Sequence, residues 1–111
     1  MKTDNTKAQM RKGVLEMCIL TLIKNGEKYP SELIDQLKHA DLLVVEGTLY
    51  PLLNRLKDAG YLEYEWRESN AGPPRKYYRI TPEGESTAET LRQAWSELVQ
   101  SVQITLENPT S

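Results

Sequence analysis

Apolar residues recur at helical spacing in the stretch from Glu46 to Gly60, EGTLYPLLNRLKDAG. Four leucines fall on one stripe: Leu49, Leu52, Leu53 and Leu56. This stripe predicts a short amphipathic helix, and Gly60 follows it where a left-handed cap forms easily. The opposite face carries Thr48, Tyr50 and Asn54, whose polar groups can reach base edges and phosphates in a DNA major groove. An ordinary surface helix has the same pattern, so the stripe alone does not favour DNA.

Two further helices are predicted before this stretch. The first runs from about Lys7 to Asn25 and is almost continuously apolar from Val14 to Ile23. Because a helix that is apolar on most sides is buried on most sides, this one indicates burial against a second chain. The next helix begins at Tyr29-Pro30-Ser31, since proline is tolerated in a first turn. A tight link over residues 40–45 then completes a helix-turn-helix pattern.

After Gly60 the pattern changes from helical to alternating. Leu62, Tyr64 and Trp66 alternate with charged residues, which predicts a strand with one buried face. Residues 68–74 are rich in turn formers and predict a flexible tip. The basic segment 75–80, RKYYRI, predicts the return strand. The two strands would form a β-hairpin, the wing of a winged helix.

The last segment predicts a long helix with a coiled-coil seam. Thr81-Pro82 is a strong helix start, and the helix is expected to run to about Leu106 before Asn108-Pro109 ends it. Its apolar positions are spaced 3-4-3-4: Ala88, Leu91, Trp95, Leu98 and Val102. We therefore predict a mainly α fold with a small β-hairpin. A winged helix-turn-helix domain would occupy residues 7–80, and a dimerisation helix residues 81–107.

Composition places the chain among soluble globular proteins of one domain. It has 111 residues, of which 39% are hydrophobic and 27% charged. Its longest apolar run, residues 14–23, is too short to span a bilayer, and a polar N-terminus without a signal-peptide pattern predicts a cytoplasmic location. Residues 1–80 carry 13 basic and 11 acidic side chains, whereas residues 81–111 carry 1 basic and 5 acidic. A mildly basic front part fits contact with phosphate, although charge scatter is an equal alternative.

Chemistry-bearing residues are sparse. Cys18 is the only cysteine and lies in the apolar run, and His39 is the only histidine. Neither belongs to a metal-ligand cluster, and no nucleophile with a base, phosphate loop or carboxylate pair is recognisable. We predict no enzymatic activity, no metal site and no cofactor.

Several segments together resemble the PadR family of bacterial winged-helix transcriptional regulators, in its short type with a single C-terminal helix. They are GVLEMCILTLI, GTLYPLLNRLKDAGYLE, RKYYRITPEG and the amphipathic tail with its tryptophan. The resemblance covers residues 11–102. It implies a cytoplasmic homodimer that binds an imperfect palindrome in double-stranded DNA, usually as a repressor. The family commonly has tyrosine and glycine at the start of the second helix, where this chain has Tyr29-Pro30-Ser31.

The candidate DNA-binding residues come from the third helix, the wing and the starts of the first two helices. They are Thr48, Tyr50, Asn54, Arg55, Lys57, Arg75, Lys76, Tyr29, Ser31 and Lys7, with Arg11 and Lys12 as further phosphate contacts. Four of them have alternative roles. Arg55 could pair with a nearby acid, Lys57 could favour the helix C-terminus, and the wing cations could protect an edge strand from aggregation.

The candidate dimer interface combines the tail seam with the first helix: Leu91, Trp95, Leu98, Val102, Val14 and Cys18. In a drug-sensing branch of the PadR family, a tail tryptophan stacks on planar, often cationic, effectors. The resemblance therefore makes Trp95 a candidate effector site, with a place in the dimer core as the alternative. The rival interpretation is a winged-helix module that docks a protein and never reads DNA. A basic wing and a Tyr50–Asn54 face with few acids favour DNA.

Overall fold

The computed structural model describes residues 10, 11 and 13–107, and it confirms the predicted fold class. Four helices and one antiparallel hairpin follow each other along the chain. They are α1 (Leu15–Lys24), α2 (Pro30–His39), α3 (Glu46–Asp58), β1 (Leu62–Ser69), β2 (Gly72–Ile80) and α4 (Pro82–Glu107). The order is that of a winged helix-turn-helix domain followed by one long helix.

The first helix is interrupted, whereas we predicted one continuous helix from about Lys7. Met10 and Arg11 are helical, but Gly13 and Val14 form a turn before α1 begins at Leu15. The Val14 amide donates to the Arg11 carbonyl at 2.9 Å, a bond of three-residue spacing that tightens the chain. Glycine weakens a helix, which explains the position of the break. The predicted start at Lys7 lies outside the described residues.

The leucine stripe of α3 lies at the centre of the core. Leu49, Leu53 and Leu56 are almost completely buried, as are Ile19 of α1 and Leu33 of α2. The helix ends at Asp58, and its cap is formed as predicted at Gly60, which has φ of +86°. The Tyr61 amide donates to the Leu56 carbonyl and the Gly60 amide to the Lys57 carbonyl, the bond pattern of a Schellman cap. This cap redirects the chain from α3 into β1.

The wing is longer and its tip tighter than the sequence predicted. The predicted turn 68–74 shrinks to Asn70 and Ala71, and β2 begins at Gly72, so Pro73 and Pro74 lie within a strand. Prolines fit here because the strand lies in a two-stranded sheet whose pairing shifts register between Arg67 and Ser69. The prediction that Trp66 is buried on one face of β1 is wrong. Trp66 lies on the same strand face as buried Leu62, yet its exposed fraction is 61%.

Two backbone hydrogen bonds fasten the wing to the link between α1 and α2. The Lys28 amide donates to the Tyr78 carbonyl at 3.1 Å, and the Tyr78 amide donates to the Lys28 carbonyl at 2.8 Å. Tyr78 itself is 1% exposed and belongs to the hydrophobic core. The base of the hairpin is therefore part of the helical body.

The start of α4 packs directly on the cap of α3. The Thr81 hydroxyl accepts from the Gly84 amide at 3.0 Å, the predicted helix cap, and donates to the Gly60 carbonyl at 2.6 Å. Gly84 is buried, and a Cβ atom built on it would lie 2.1 Å from the Tyr61 carbonyl oxygen. Only glycine allows the helix to approach the turn this closely.

The C-terminal part of α4 leaves the body of the protein. Every residue from Arg92 to Glu107 is exposed, a length of about 24 Å at 1.5 Å per residue. Large apolar side chains remain uncovered along it: Trp95, Leu98, Val99, Val102, Ile104 and Leu106. Among the described residues, no helix has the length and apolar character needed to cross a membrane.

We predict that Gly84→Ala lowers the free energy of unfolding by about 2 kcal/mol or more, because the new methyl group overlaps a backbone carbonyl that cannot turn away. Urea denaturation followed by circular dichroism measures this loss. Gly47→Ala in α3 is the matched control, since its Cβ meets nothing within 4 Å, and we expect stability to stay the same or rise. Equal effects of both substitutions would contradict the close packing at Gly84.

A second prediction concerns stability at high pH. Burial raises the pKa of Tyr78 above its usual value of 10.0, and the neighbouring Tyr64 and Tyr50 add to the effect. The unfolded chain then loses this proton at lower pH than the folded chain, so the contribution is fully present below pH 10 and is lost as pH rises towards the folded pKa. The loss is at most about 1.4 kcal/mol per pH unit for one proton. Tyr78→Phe should show a shallower fall than the parent in denaturation curves across this range; identical falls would contradict the assignment.

Candidate nucleic-acid interface

A cleft between the wing and the helix-turn-helix brings half of the predicted DNA-binding residues together. It has a volume of about 320 Å³ and opens to solvent. The first turn of α2, the N-terminal half of α3 and both wing strands line it. The predicted residues along it are Tyr29, Ser31, Tyr50, Arg75 and Lys76. Aromatic rings, a hydroxyl group and two cations thus converge at one place.

The rest of the α3 candidates lie along the exposed face of the helix, outside the cleft. Thr48 and Asn54 are exposed, as the stripe predicted. Tyr50 lies on the wing side of this face, since it lines the cleft, whereas Arg55 contacts α1. The face is therefore bounded by the wing on one side and by α1 on the other.

Pro51 interrupts the hydrogen-bond ladder of α3 without ending the helix. Proline has no amide hydrogen, so the Gly47 carbonyl lacks its partner four residues later. Both residues are exposed, and water can therefore satisfy this carbonyl. The interruption is tolerated because it lies opposite the leucine stripe.

The two wing cations of the cleft contact aromatic rings. The Arg75 guanidinium lies 4.3 Å from the centre of the Tyr29 ring. The Lys76 ammonium lies 4.5 Å from the Tyr64 ring centre and 5.3 Å from that of Trp66. Within residues 13–107, neither cation forms an ion pair with a carboxylate, so both keep their full charge for a phosphate.

The other two arginines of the wing, Arg67 and Arg79, are paired with carboxylates. Arg67 donates to Glu65 at 2.8 Å and approaches Glu27 to 2.6 Å, while Arg79 donates to Glu63 at 2.7 Å. The hydrogen bond that Arg67 donates to Glu65 lowers the pKa of Glu65, and the bonds that Arg67 donates to Glu65 and Glu27 raise its own pKa. Glu27 belongs to the link between α1 and α2, so these pairs also connect the wing to the body.

Arg55 takes the structural alternative that we had left open, because its guanidinium pairs with Glu16 of α1. Lys57 lies 3.4 Å from its neighbour Asp58 and 5.8 Å from the Tyr64 ring centre, at the C-terminal end of α3. Arg11 donates to the Leu43 carbonyl at 3.0 Å. Lys7 and Lys12 lie outside the described residues.

Four residues that line the cleft were not among the predicted site residues: Pro30, Glu46, Trp66 and Pro74. Trp66 had been predicted on a buried face, and Glu46 had not been considered. Alternation identified the face of β1 correctly, but it could not show that the helical body ends before Trp66. The cleft also has one acid, Glu46, in a region expected to have few.

The predicted dimer residues gather around Trp95, whose exposed fraction is 43%. Val14, Cys18 and Trp95 line one hollow of about 390 Å³, and Leu91, Trp95 and Leu98 line a smaller one beside it. Leu91 packs on the edge of the core, whereas Leu98 and Val102 are exposed. Burial raises the pKa of the Cys18 thiol, which disfavours the nucleophilic thiolate.

Metal-binding chemistry is absent from the described part of the chain, in which no three candidate ligands form a group. The exposed His39 ring donates locally, with Nδ1 2.7 Å from the accepting Asp35 carbonyl oxygen. A neutral ring can donate this bond to the carbonyl, so it has a local role at the end of α2.

Comparisons with known proteins identify the family. The model of the transcriptional regulator PadR-like family matches residues 19–90. A PadR-like transcription factor from Bacteroides fragilis is 53% identical, with a TM-score of 0.76 over 91% of this chain and 98% of its own. A PadR family regulator from Eggerthella lenta is 31% identical, with a TM-score of 0.87 over 95% and 92% of the two chains. A transcriptional regulator of Mycobacterium tuberculosis is 32% identical over 85% of this chain and 87% of its own. The chain therefore belongs to the PadR-like family of winged-helix transcriptional regulators.

Proposed function

We propose that this protein is a dimeric repressor that binds an imperfect palindrome in DNA, with α3 in the major groove and the wing on the adjacent backbone. The observation that carries the proposal is the cleft, where Arg75 and Lys76 rest on aromatic rings and remain unpaired within the described residues. A cation paired with a carboxylate is already neutralised, whereas a cation on a ring keeps its charge. These two cations are therefore available to phosphates next to the α3 face.

Dimerisation would supply the second half-site. Several large apolar side chains are exposed along α4, with Leu98 56% exposed, and a contiguous exposed apolar patch marks an interaction surface. Pairing of two α4 helices would bury it, with Val14 and Cys18 at its edge. We assign residues 81–107 to dimerisation and 7–80 to DNA binding. Two α3 helices must then lie about one DNA turn apart to dock together.

Selection of a randomised duplex pool on the purified protein tests DNA recognition. We expect an inverted repeat with half-sites about one helical turn apart. Asn54→Ala should then weaken binding to that repeat by about 1–3 kcal/mol while leaving non-specific binding unchanged, since a side chain at a base edge reads sequence. Fluorescence anisotropy of labelled duplexes measures both affinities. Asn25→Ala, an exposed amide in the α1–α2 link, is the control and should bind as the parent does.

Failure to retain any duplex, at low as well as physiological salt, would contradict this function. It would favour the alternative, a winged-helix module that docks a protein through the exposed row of α4. The acid Glu46 in the cleft would repel a phosphate and therefore suits protein docking better than DNA. A steep loss of duplex affinity with added salt would contradict the alternative.

We further propose that a planar aromatic or cationic molecule relieves repression by binding at Trp95. The half-exposed indole borders the hollow formed with Val14, Cys18 and Leu42, where a second α4 would complete a slot. Stacking and cation–π attraction would hold such a ligand. It would release DNA only by binding one arrangement of the two α3 helices more tightly than the other.

Titration of Trp66→Phe with a planar cationic dye tests the effector site, because Trp95 is then the only tryptophan. We expect quenching of Trp95, and dye binding that is weaker by about tenfold or more in Trp95→Ala, as measured by dye anisotropy. Sedimentation must show that both variants remain dimeric. Unchanged emission together with equal dye affinity in both variants would leave Trp95 as a residue of the dimer core.

A further inference from the structure

Trp66 is the large aromatic residue of the wing that the core does not use. It is placed by β1 on the same face as Leu62 and Tyr64, which are buried and half-buried, yet 61% of Trp66 is exposed. Folding leaves most of this ring in water, although burial of tryptophan is strongly favourable. A ring in this position adds little to the stability of the monomer, so another role must be sought.

The surroundings of Trp66 define what could cover it. Its neighbour across the hairpin is Lys76, whose ammonium lies 5.3 Å from the indole and 4.5 Å from the Tyr64 ring. The indole borders the cleft together with Tyr50 of α3 and Arg75 of β2. On its own face of the hairpin the indole is thus flanked by Lys76, which is unpaired within residues 13–107, whereas Arg75 lies over the Tyr29 ring in another part of the cleft.

The combination of an exposed indole and an adjacent ammonium group matches the backbone of a DNA strand. Deoxyribose presents an apolar face, and a phosphate with one negative charge lies on each side of it. An apolar ring beside a cation complements one such sugar and its neighbouring phosphate. Trp66 is also in the middle of a strand, three residues before the end of β1 at Ser69. A side chain that inserts between base pairs would instead project from a tip.

We propose that Trp66 packs on a deoxyribose of the DNA strand that lies in the cleft, while Lys76 contacts a phosphate next to this sugar. The proposal rests on the proposed function, since it requires α3 to lie in the adjacent major groove. It assigns to Trp66 a contact that is strong but independent of sequence. Specificity comes from α3, and Trp66 contributes affinity to every duplex.

Three substitutions separate this role from the others. Trp66→Ala should weaken binding to the selected repeat and to a random duplex by the same factor, about tenfold or about 1.4 kcal/mol. The ring is uncharged, so the slope of log affinity against log salt should not change. Lys76→Met should instead reduce that slope by about 0.9 for each lost phosphate contact. Trp66→Phe should restore most of the affinity, because a smaller ring still covers the sugar.

Fluorescence supplies a second, independent measurement. In Trp95→Phe the only tryptophan is Trp66, and duplex DNA should reduce the quenching of its emission by acrylamide as the indole leaves water. Urea denaturation of Trp66→Ala should match the parent because the ring is exposed. Loss of affinity through misfolding would appear as lower stability and would overturn the proposed contact.

The outcomes distinguish this inference from the proposed function. If the parent protein retains duplex DNA but Trp66 stays accessible to acrylamide and Trp66→Ala binds unchanged, the sugar contact is wrong and DNA recognition stands. A change in specificity ratio in Trp66→Ala would also overturn it, because a sugar contact cannot discriminate bases. If the parent binds no duplex at all while a protein partner protects Trp66 from acrylamide, both proposals fail.

Discussion

The close approach of Gly84 to the Tyr61 carbonyl holds the two parts of this protein together. The α3 cap at Gly60, the end of β2 and the start of α4 meet there, and Thr81 bonds to both Gly60 and Gly84. This contact leaves α4 little freedom to tilt, because close-packed protein interiors resist deformation. The direction in which α4 leaves the body is therefore tied to the end of α3, and a tilt of α4 would move α3 with it.

The cations of the wing differ in whether a carboxylate neutralises them, and this difference matters more for the charge of the cleft than the number of cations. Glu27, Glu63 and Glu65 pair with Arg67 and Arg79, whereas Arg75 and Lys76, which line the cleft, lie over aromatic rings. Exposed ion pairs contribute little to stability. The main effect of the pairs formed by Arg67 and Arg79 is therefore that uncompensated positive charge remains at Arg75 and Lys76. A chain of net charge −2 can in this way direct positive potential towards one cleft.

The site could be predicted in its helical part and only partly in its wing. Helical period placed Thr48, Tyr50 and Asn54 on an exposed face, and all three lie there. Arg55 could not be decided, because its partner Glu16 lies 39 positions earlier and only tertiary packing brings α1 beside α3. Trp66 was placed in the core because alternation defines a face but not how far the body extends along the strand.

By itself, the sequence determined the elements whose signals are local. The leucine stripe and Gly60 set the extent of α3, Thr81-Pro82 set the start of α4, and alternation identified the hairpin. Hydrophobic spacing and cap chemistry act within a few residues, so they can be read without coordinates. Only the tertiary structure decided which cations are neutralised, that Trp66 faces a cleft, and that Gly84 lies against Tyr61. These are contacts between distant segments, and their geometry follows from how the helices pack around one shared core.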